Sequence, residues 1–352
     1  MAEKIEEDFF KSRSLEFGSF APTDEFLHPY IACHGDTCTE TQYFGFYVPE
    51  ARVYAFAYLW VHPNLQTVFG GLVVCQGFKR HHLQAELFDF RANLSGSSAL
   101  PEDLRTFRLP NTYQVDVLEP GKRMRLRYSD PRGENEIDIE VTAAGPVAMR
   151  ANQKHFEQAM HYQGSLTLRG HAYTVDCFNV RDRSWGEPRP EDPLPFPPLT
   201  WTTGCFNGSF AFNCSAFDHP DYNPETKAEF PITASQAFND GWVFRDGELV
   251  KIKAIKKLTT RDSRTGRPVS HVIEALDVLN RSYHITGTVV AGLPLSCWPN
   301  CVTHLGLTRW EYDGRVGWGD TQEVQWTDYI RSFTGDEDGV ASPLPTAVRR
   351  VP

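Results

Sequence analysis

The sequence predicts an all-β protein with few short helices, folded as two antiparallel β-barrels or sandwiches, and three observations carry that prediction. Aromatic residues make up 13% of the 352 residues while methionine numbers only 4. Short runs of alternating apolar and polar residues recur along the chain, punctuated by Gly, Pro, Asn and Asp. Between residues 187 and 200 lies EPRPEDPLPFPPLT, with six prolines in fourteen residues, a stretch that lacks backbone donors and is excluded from a central strand. That break divides the chain into 1–190 and 191–334, each expected to form a β-domain. The remainder, 335–352, has a charge cluster and prolines and reads as a flexible tail.

Taken in order, YQVDVLE, RMRLRY, EIDIEVTA and SLTLRGHAYTVDCF are the alternating runs of the first half, and GSFAFNCSAF, HVIEALDVL and YHITGTVV those of the second. Only PITASQAFNDGW and the N-terminal dozen residues look weakly helical. The basic run KIKAIKK, Lys251 to Lys257, alternates with apolar residues and reads as the wet face of a strand. Two Trp-Gly-acid triplets, Trp185-Gly186-Glu187 and Trp318-Gly319-Asp320, each fall near the end of a β run and echo one another across the halves.

A net charge of -10 argues against nucleic acid as a partner, because phosphate binding needs clustered Lys and Arg. The acidic start MAEKIEEDFFKS lacks the basic and apolar regions of a secretory signal. No stretch reaches the ~18 apolar residues of a membrane helix. A cytoplasmic protein without membrane insertion is therefore expected, and its eight cysteines are expected to be buried thiols. Cys33, His34 and Cys38, and likewise Cys297, Cys301 and His304, are spaced too loosely for a zinc knuckle. His81, His82 and Glu86 lack the His-x-His core of a cupin metal site. No metal is expected at any of these places. Nucleophile elbows, phosphate loops and H-E-x-x-H pairs are also missing, which removes the standard hydrolase and nucleotide-enzyme classes.

Chemistry is concentrated between residues 152 and 187. If NQKHFEQAMHYQG is extended, His155, Glu157, His161 and Gln163 share one face, and Phe156, Gln158, Met160 and Tyr162 the other. In the next run His171, Tyr173, Val175, Cys177, Asn179, Arg181, Arg183 and Trp185 lie on one side, and Thr174, Asp176, Phe178, Val180, Asp182 and Ser184 on the other. Neither side is purely apolar, so alternation leaves open which one faces inward. Asp182 lies between two arginines in sequence yet points away from both on an ideal strand. Paired with a guanidinium it would stay ionised as an orienter or base, whereas buried without a partner its pKa would rise and it would donate a proton.

The stretches HFEQ, RDRSWGEPR and TRWEYDGRVGWGDTQE together resemble the double-lipocalin proteins related to carotenoid 1,2-hydratase and AttH-like proteins, a group similar to certain fungal Diels-Alderases. The likeness in element order spans most of residues 20 to 330. It implies two lipocalin-like, calycin-type barrels packed side by side, with an apolar pocket for a terpenoid, polyketide or other lipophilic molecule, and no organic cofactor. The family pattern maps onto His155, Glu157 and Gln158, and onto Arg181, Asp182, Ser184, Trp185 and Gly186. Arg183 stands where relatives often carry His, which puts in doubt a neutral base at that position.

These readings converge on a hydratase, isomerase or cyclase acting on an unsaturated hydrophobic substrate. Such chemistry needs a proton donor and an aromatic wall that stabilises developing positive charge. Asp182 or Glu157 is placed as donor and His155 or His161 as relay. Trp185, Tyr173 and Trp201 are placed against the cation, with Arg181 and Gln158 as further substrate-binding groups. The competing reading is a carrier of a hydrophobic ligand, in which Arg181 and Trp185 merely brace the end of a barrel.

Overall fold

The computed structural model describes residues 14–28, 35–100, 103–189, 191–192, 194–222 and 230–334. Almost all of it is strand. The first sheet contains β1 (Cys38–Val48), β2 (Val53–His62), β3 (Thr67–Gln76), β4 (Leu87–Ser95), β5 (Thr106–Arg108), β6 (Gln114–Glu119), β7 (Arg123–Asp130), β8 (Asn135–Met149), β9 (His155–Leu168) and β10 (His171–Pro188). Its ten strands run in the order β4-β3-β2-β1-β10-β9-β8-β7-β6-β5. β11 (Leu199–Phe206), β12 (Phe210–Phe217), β13 (Phe238–Arg245), β14 (Glu248–Arg261), β15 (Pro268–Asp277), β16 (Ser282–Leu295), β17 (Cys301–Tyr312) and β18 (Arg315–Trp326) close into an eight-stranded barrel. Every ladder within the two sheets is antiparallel, and the fold is the lipocalin-like pair that the resemblance implied.

Local chemistry explains the hairpins. Asn207-Gly208, Asp246-Gly247, Asp313-Gly314 and Arg169-Gly170 each take positive φ at both residues, the requirement of a two-residue turn whose twist matches its flanking strands. From Arg123 to Ser129, β7 is buried at every second position, as a strand with one wet face must be. By contrast β1 is buried along its whole length and β2 at all but its last position. The continuous apolar run VYAFAYLWV suits a strand covered on both sides, here by the inside of the first sheet and by the barrel.

The first sheet curls until its ends meet. Asn111, in the β5–β6 turn, donates to the backbone carbonyl of Asp89 on β4 at 2.7 Å, and Tyr128 on β7 donates to the Asp89 carboxylate at 2.9 Å. Its core is continuous with the outside of the barrel, where Ala291, Leu293, Leu305 and Leu307 pack into it. A parallel bridge between Phe78 and Gly292 and the bond from Lys79 N to Gly292 O at 2.8 Å further join the two sheets. The proline-rich connection is packed rather than free, with Leu194 and Phe196 buried against Phe217 and Trp326.

Three expectations are corrected. Lys251 and Lys257 are buried instead of wet: a bulge between Ile252 and Ala254 turns Lys257 into the barrel, while Lys251, opposite Trp242 on the outer wall, is covered by Phe17 and lies beside Asp240, which also pairs with Arg150 of the first sheet. Lys257 donates to Asp218 at 2.8 Å, and Lys251 to Asp240 at 2.7 Å. Cys38 is disulfide-bonded, whereas Cys75, Cys177, Cys205, Cys214, Cys297 and Cys301 are free and buried. Of PITASQAFNDGW only Ala234–Ala237 is helical, and Phe238 onward joins β13. Cys33, His34, the N-terminal dozen and residues 335–352 lie outside the described residues. No helix among the described residues is long and apolar enough to cross a membrane.

Candidate functional site

Register fixes which residues meet. On the face of the first sheet turned toward the barrel, one row across four strands reads Tyr58 on β2, Tyr43 on β1, Asp182 on β10 and Glu157 on β9. The neighbouring row reads Trp60, Thr41, Ser184 and His155. Directly opposed residues have Cβ atoms about 5 Å apart, so two carboxyls and two phenols are brought side by side.

Glu157 is almost wholly buried and ties the two sheets together. Its Oε1 accepts from Trp201 Nε1 of β11 at 2.6 Å and lies 3.2 Å from His155 Nε2, while Oε2 accepts from Trp242 Nε1 of β13 at 2.5 Å. Burial pushes its pKa up, but the His155 bond and charge, Arg150 and the Trp201 bond outweigh that and hold it at about 2. Glu157 is therefore a fixed carboxylate, unsuited to donating a proton at neutral pH. Asp182, half-buried beside it, is shifted the other way. Burial raises its pKa, His155 opposes the rise, and the charge of Glu157 adds to it.

The two arginines of RDRSWGE are occupied elsewhere. Arg181 donates to both oxygens of Glu25 at 2.6 and 2.7 Å and to Gln158 at 2.8 Å, while Gln158 donates to the carbonyls of Gly121 and Gly145. Arg183 bonds the carbonyls of Glu25 and Phe26 and the Glu40 carboxylate. Trp185 packs with Met149 and Phe156 and stacks on His28, ring centroids 4.9 Å apart. Arg181, Arg183 and Trp185, the odd-numbered residues, sit on the opposite face of β10 from Asp182 and hold segment 14–28 against the sheet.

Of the nine residues singled out in the sequence, the structure brings together Asp182, Glu157, His155 and Trp201. Arg181, Gln158 and Trp185 belong to the inner brace. His161 lies four residues along β9 from Glu157, about 13 Å away, pairs with Asp176 at 2.6 Å and stacks on Phe178. Tyr173 is nine residues from Asp182, about 30 Å along β10, and packs against the main core. Sequence reasoning missed Tyr43, Tyr58, Trp242 and Asp320. The alternate aromatics of VYAFAYLW and the second Trp-Gly-acid triplet were the available signals.

The aromatic wall is substantial. Tyr43 meets Trp201 edge to face at 5.8 Å and packs near Phe56 at 5.0 Å. At the end of the second row Trp60 lies 3.6 Å, centroid to centroid, from Trp298 of the barrel, over whose ring the Arg189 guanidinium sits at 4.8 Å. Arg189 also donates to Ser184 at 3.0 Å. A cleft of about 320 Å³ opens at this end, lined by Asp36, Thr37, Trp60, His62, Phe69 and Glu191 among others.

A curled ten-stranded sheet docked on a closed eight-stranded barrel, with acids and aromatics gathered between them, defines a double lipocalin-like protein. The chain belongs to the family described as a domain of unknown function, DUF7064, which matches residues 21–328. Among solved structures it is similar to CghA in complex with Sch210972, at 12% identity and a TM-score of 0.54, over 86% of this chain and 97% of that one. It is also similar to kievitone hydratase from Nectria haematococca, at 10% identity and a TM-score of 0.51, over 89% and 94%. A protein described as AttH from Nitrosomonas europaea aligns at 11% identity and a TM-score of 0.50, over 84% and 94%. At such identities the likeness is one of fold. No curated protein matches the sequence significantly.

Proposed function

We propose that the protein is a cofactor-independent lyase or isomerase, of hydratase or cyclase type, whose substrate is a lipophilic unsaturated molecule such as a terpenoid or polyketide. The observation that carries this reading is the cross-strand row in which Asp182, raised by burial, lies between the Tyr43 phenol and the ionised Glu157. A carboxyl raised by burial beside one held ionised gives the row a group that can exchange protons with a substrate. Trp201, Tyr43 and Phe56 offer aromatic faces to a developing cation. Substrate reaches the row from the Trp60 cleft, and His155 orients Glu157. That a protein of the same fold is named a hydratase, and that another holds Sch210972, supports chemistry on a small molecule.

The test is incubation with a panel of unsaturated terpenoids and polyketides in deuterated buffer, followed by mass spectrometry. Deuterium in a recovered compound, with or without one added water, is expected. Asp182→Asn should abolish that turnover while ligand retention stays within a few fold. Compounds that bind yet come back unlabelled would leave the protein a carrier.

A further inference from the structure

We propose that Asp320 is the proton donor of this site, giving its proton from the barrel wall while Asp182, on the facing sheet, takes one up. The proposal deepens the function given above and rests on it. Asp320 lies on β18 of the barrel, within the Trp-Gly-Asp stretch. Thr321 and Glu323 turn into the barrel, where they bond His271 and Arg261, so Asp320 turns outward to the first sheet.

The first sheet is built to receive it. Pairing of β1 with β10 ends at Tyr43 and Asp182, and past that point the Asp320 carboxyl sits against both strands, fully buried. Its Oδ2 lies 2.6 Å from the Tyr43 hydroxyl and 2.8 Å from Asn179 Nδ2, and Asn179 also donates to Gly45 O at 3.1 Å. A Cβ at Gly45 would fall 1.9 Å from the Tyr43 hydroxyl, so this mid-strand glycine is what lets the phenol reach the carboxyl. The other oxygen, Oδ1, is buried and has no hydrogen-bond partner among the described residues.

That asymmetry is the geometry of an acid. Two donors occupy Oδ2, which directs a proton to Oδ1, where nothing holds it. Burial pushes Asp320 up to about 7, outweighing the Tyr43 and Asn179 bonds and the nearby Tyr54 hydroxyl, which lower it, and the Asp182 charge adds to the rise. The phenols of Tyr43, Tyr47, Tyr54 and Tyr162 and the thiols of Cys177 and Cys205 around it are themselves raised by burial and stay neutral. No lysine or arginine pairs with it among the described residues. Asp320 thus carries a proton close to neutral pH, and Asp182, directly opposite Tyr43 and partly accessible, is the nearby acceptor.

For hydration, the Oδ1 proton of Asp320 passes to one alkene carbon, the π pair forming the new C–H bond. Water adds to the cation, and its surplus proton passes to the Asp182 carboxylate. Asp320 is left ionised and Asp182 protonated, and exchange with solvent water restores both. In an isomerisation Asp182 takes its proton from the adjacent carbon instead, and no water is added.

Two measurements test this. Infrared spectra of the whole protein at pH 6 and pH 9 should show a protonated-carboxyl stretch at the lower pH that vanishes in Asp320→Asn and survives in Asp182→Asn. With any compound that wild type labels in the deuterium panel, Asp320→Asn should slow labelling at carbon about 100-fold or more, with retention of the compound within a few fold. Survival of the stretch in Asp320→Asn, or labelling at the wild-type rate, overturns the donor assignment alone. A wild type that labels nothing removes the enzymatic reading itself, and the donor with it, whatever the infrared result.

Discussion

At the scale of single residues, Glu157 shows how an environment decides what a carboxyl does. Two indole N–H groups and an imidazole converge on it, and among the described residues no donor of that kind hydrogen-bonds to Asp182 one strand away. Its pKa of about 2 lies below its value in an unfolded chain, so it contributes stability that is fully present above about pH 4.5 and is lost as pH falls through 2. Glu157→Gln should then cost about 2–3 kcal/mol at pH 7, since a neutral amide also turns N–H groups toward two indole donors. Urea denaturation of both proteins at pH 7 and pH 3 checks it. The gap between them should narrow in acid, and an equal gap at both pH values would mean that charge is not what Glu157 contributes.

At the scale of elements, the end of the β1–β10 ladder is where the first sheet makes room for the barrel. Gly45 and Tyr43 are coupled there, since a methyl on Gly45 would meet both the phenol hydroxyl and Asn179. Gly45→Ala should destabilise by roughly 1–3 kcal/mol through overpacking. Adding Tyr43→Phe should recover part of that loss, which thermal melts of the four proteins of the cycle would show as a coupling above ~0.5 kcal/mol. Additive losses would dissociate Gly45 from the seating of Tyr43. The same elements show what the sequence let through. The alternation in RMRLRY is a local signal, and it read correctly. Strand β10 did not declare its inner face, because Arg181 and Arg183 are satisfied by Glu25 and Glu40, more than 140 residues away. Charges that look wet in a window of ten residues are buried once such distant partners arrive.

At the scale of the whole molecule, KIKAIKK is the clearest case of that rule, because it decides how the barrel interior is filled. Lys257 bonds Asp218, Thr200 and Thr259, and Arg261 spans Asp218 and Glu323, both oxygens of Glu323 included. His271 is pushed by burial down to about 3 and stays neutral between Thr259 and Thr321. Two cations and two anions therefore balance within a closed barrel whose opposite end is apolar, lined by Phe206, Phe210 and Phe212. Replacing one member leaves an uncompensated buried charge, which costs more than the intact set contributes. Lys257→Met should accordingly destabilise by about 3–5 kcal/mol, while Lys256→Met, one residue away and exposed, should stay within about 0.5 kcal/mol. Asp218 and Glu323 are both held below the usual carboxylate range, chiefly by Arg261 and Lys257 against the pull of burial. Their contribution is present above about pH 4.5 and fades as acid protonates them, so the gap between Lys257→Met and wild type should shrink toward pH 3. Denaturation followed by tryptophan fluorescence at both pH values separates this ionic plug from simple loss of packing, which would leave the gap unchanged.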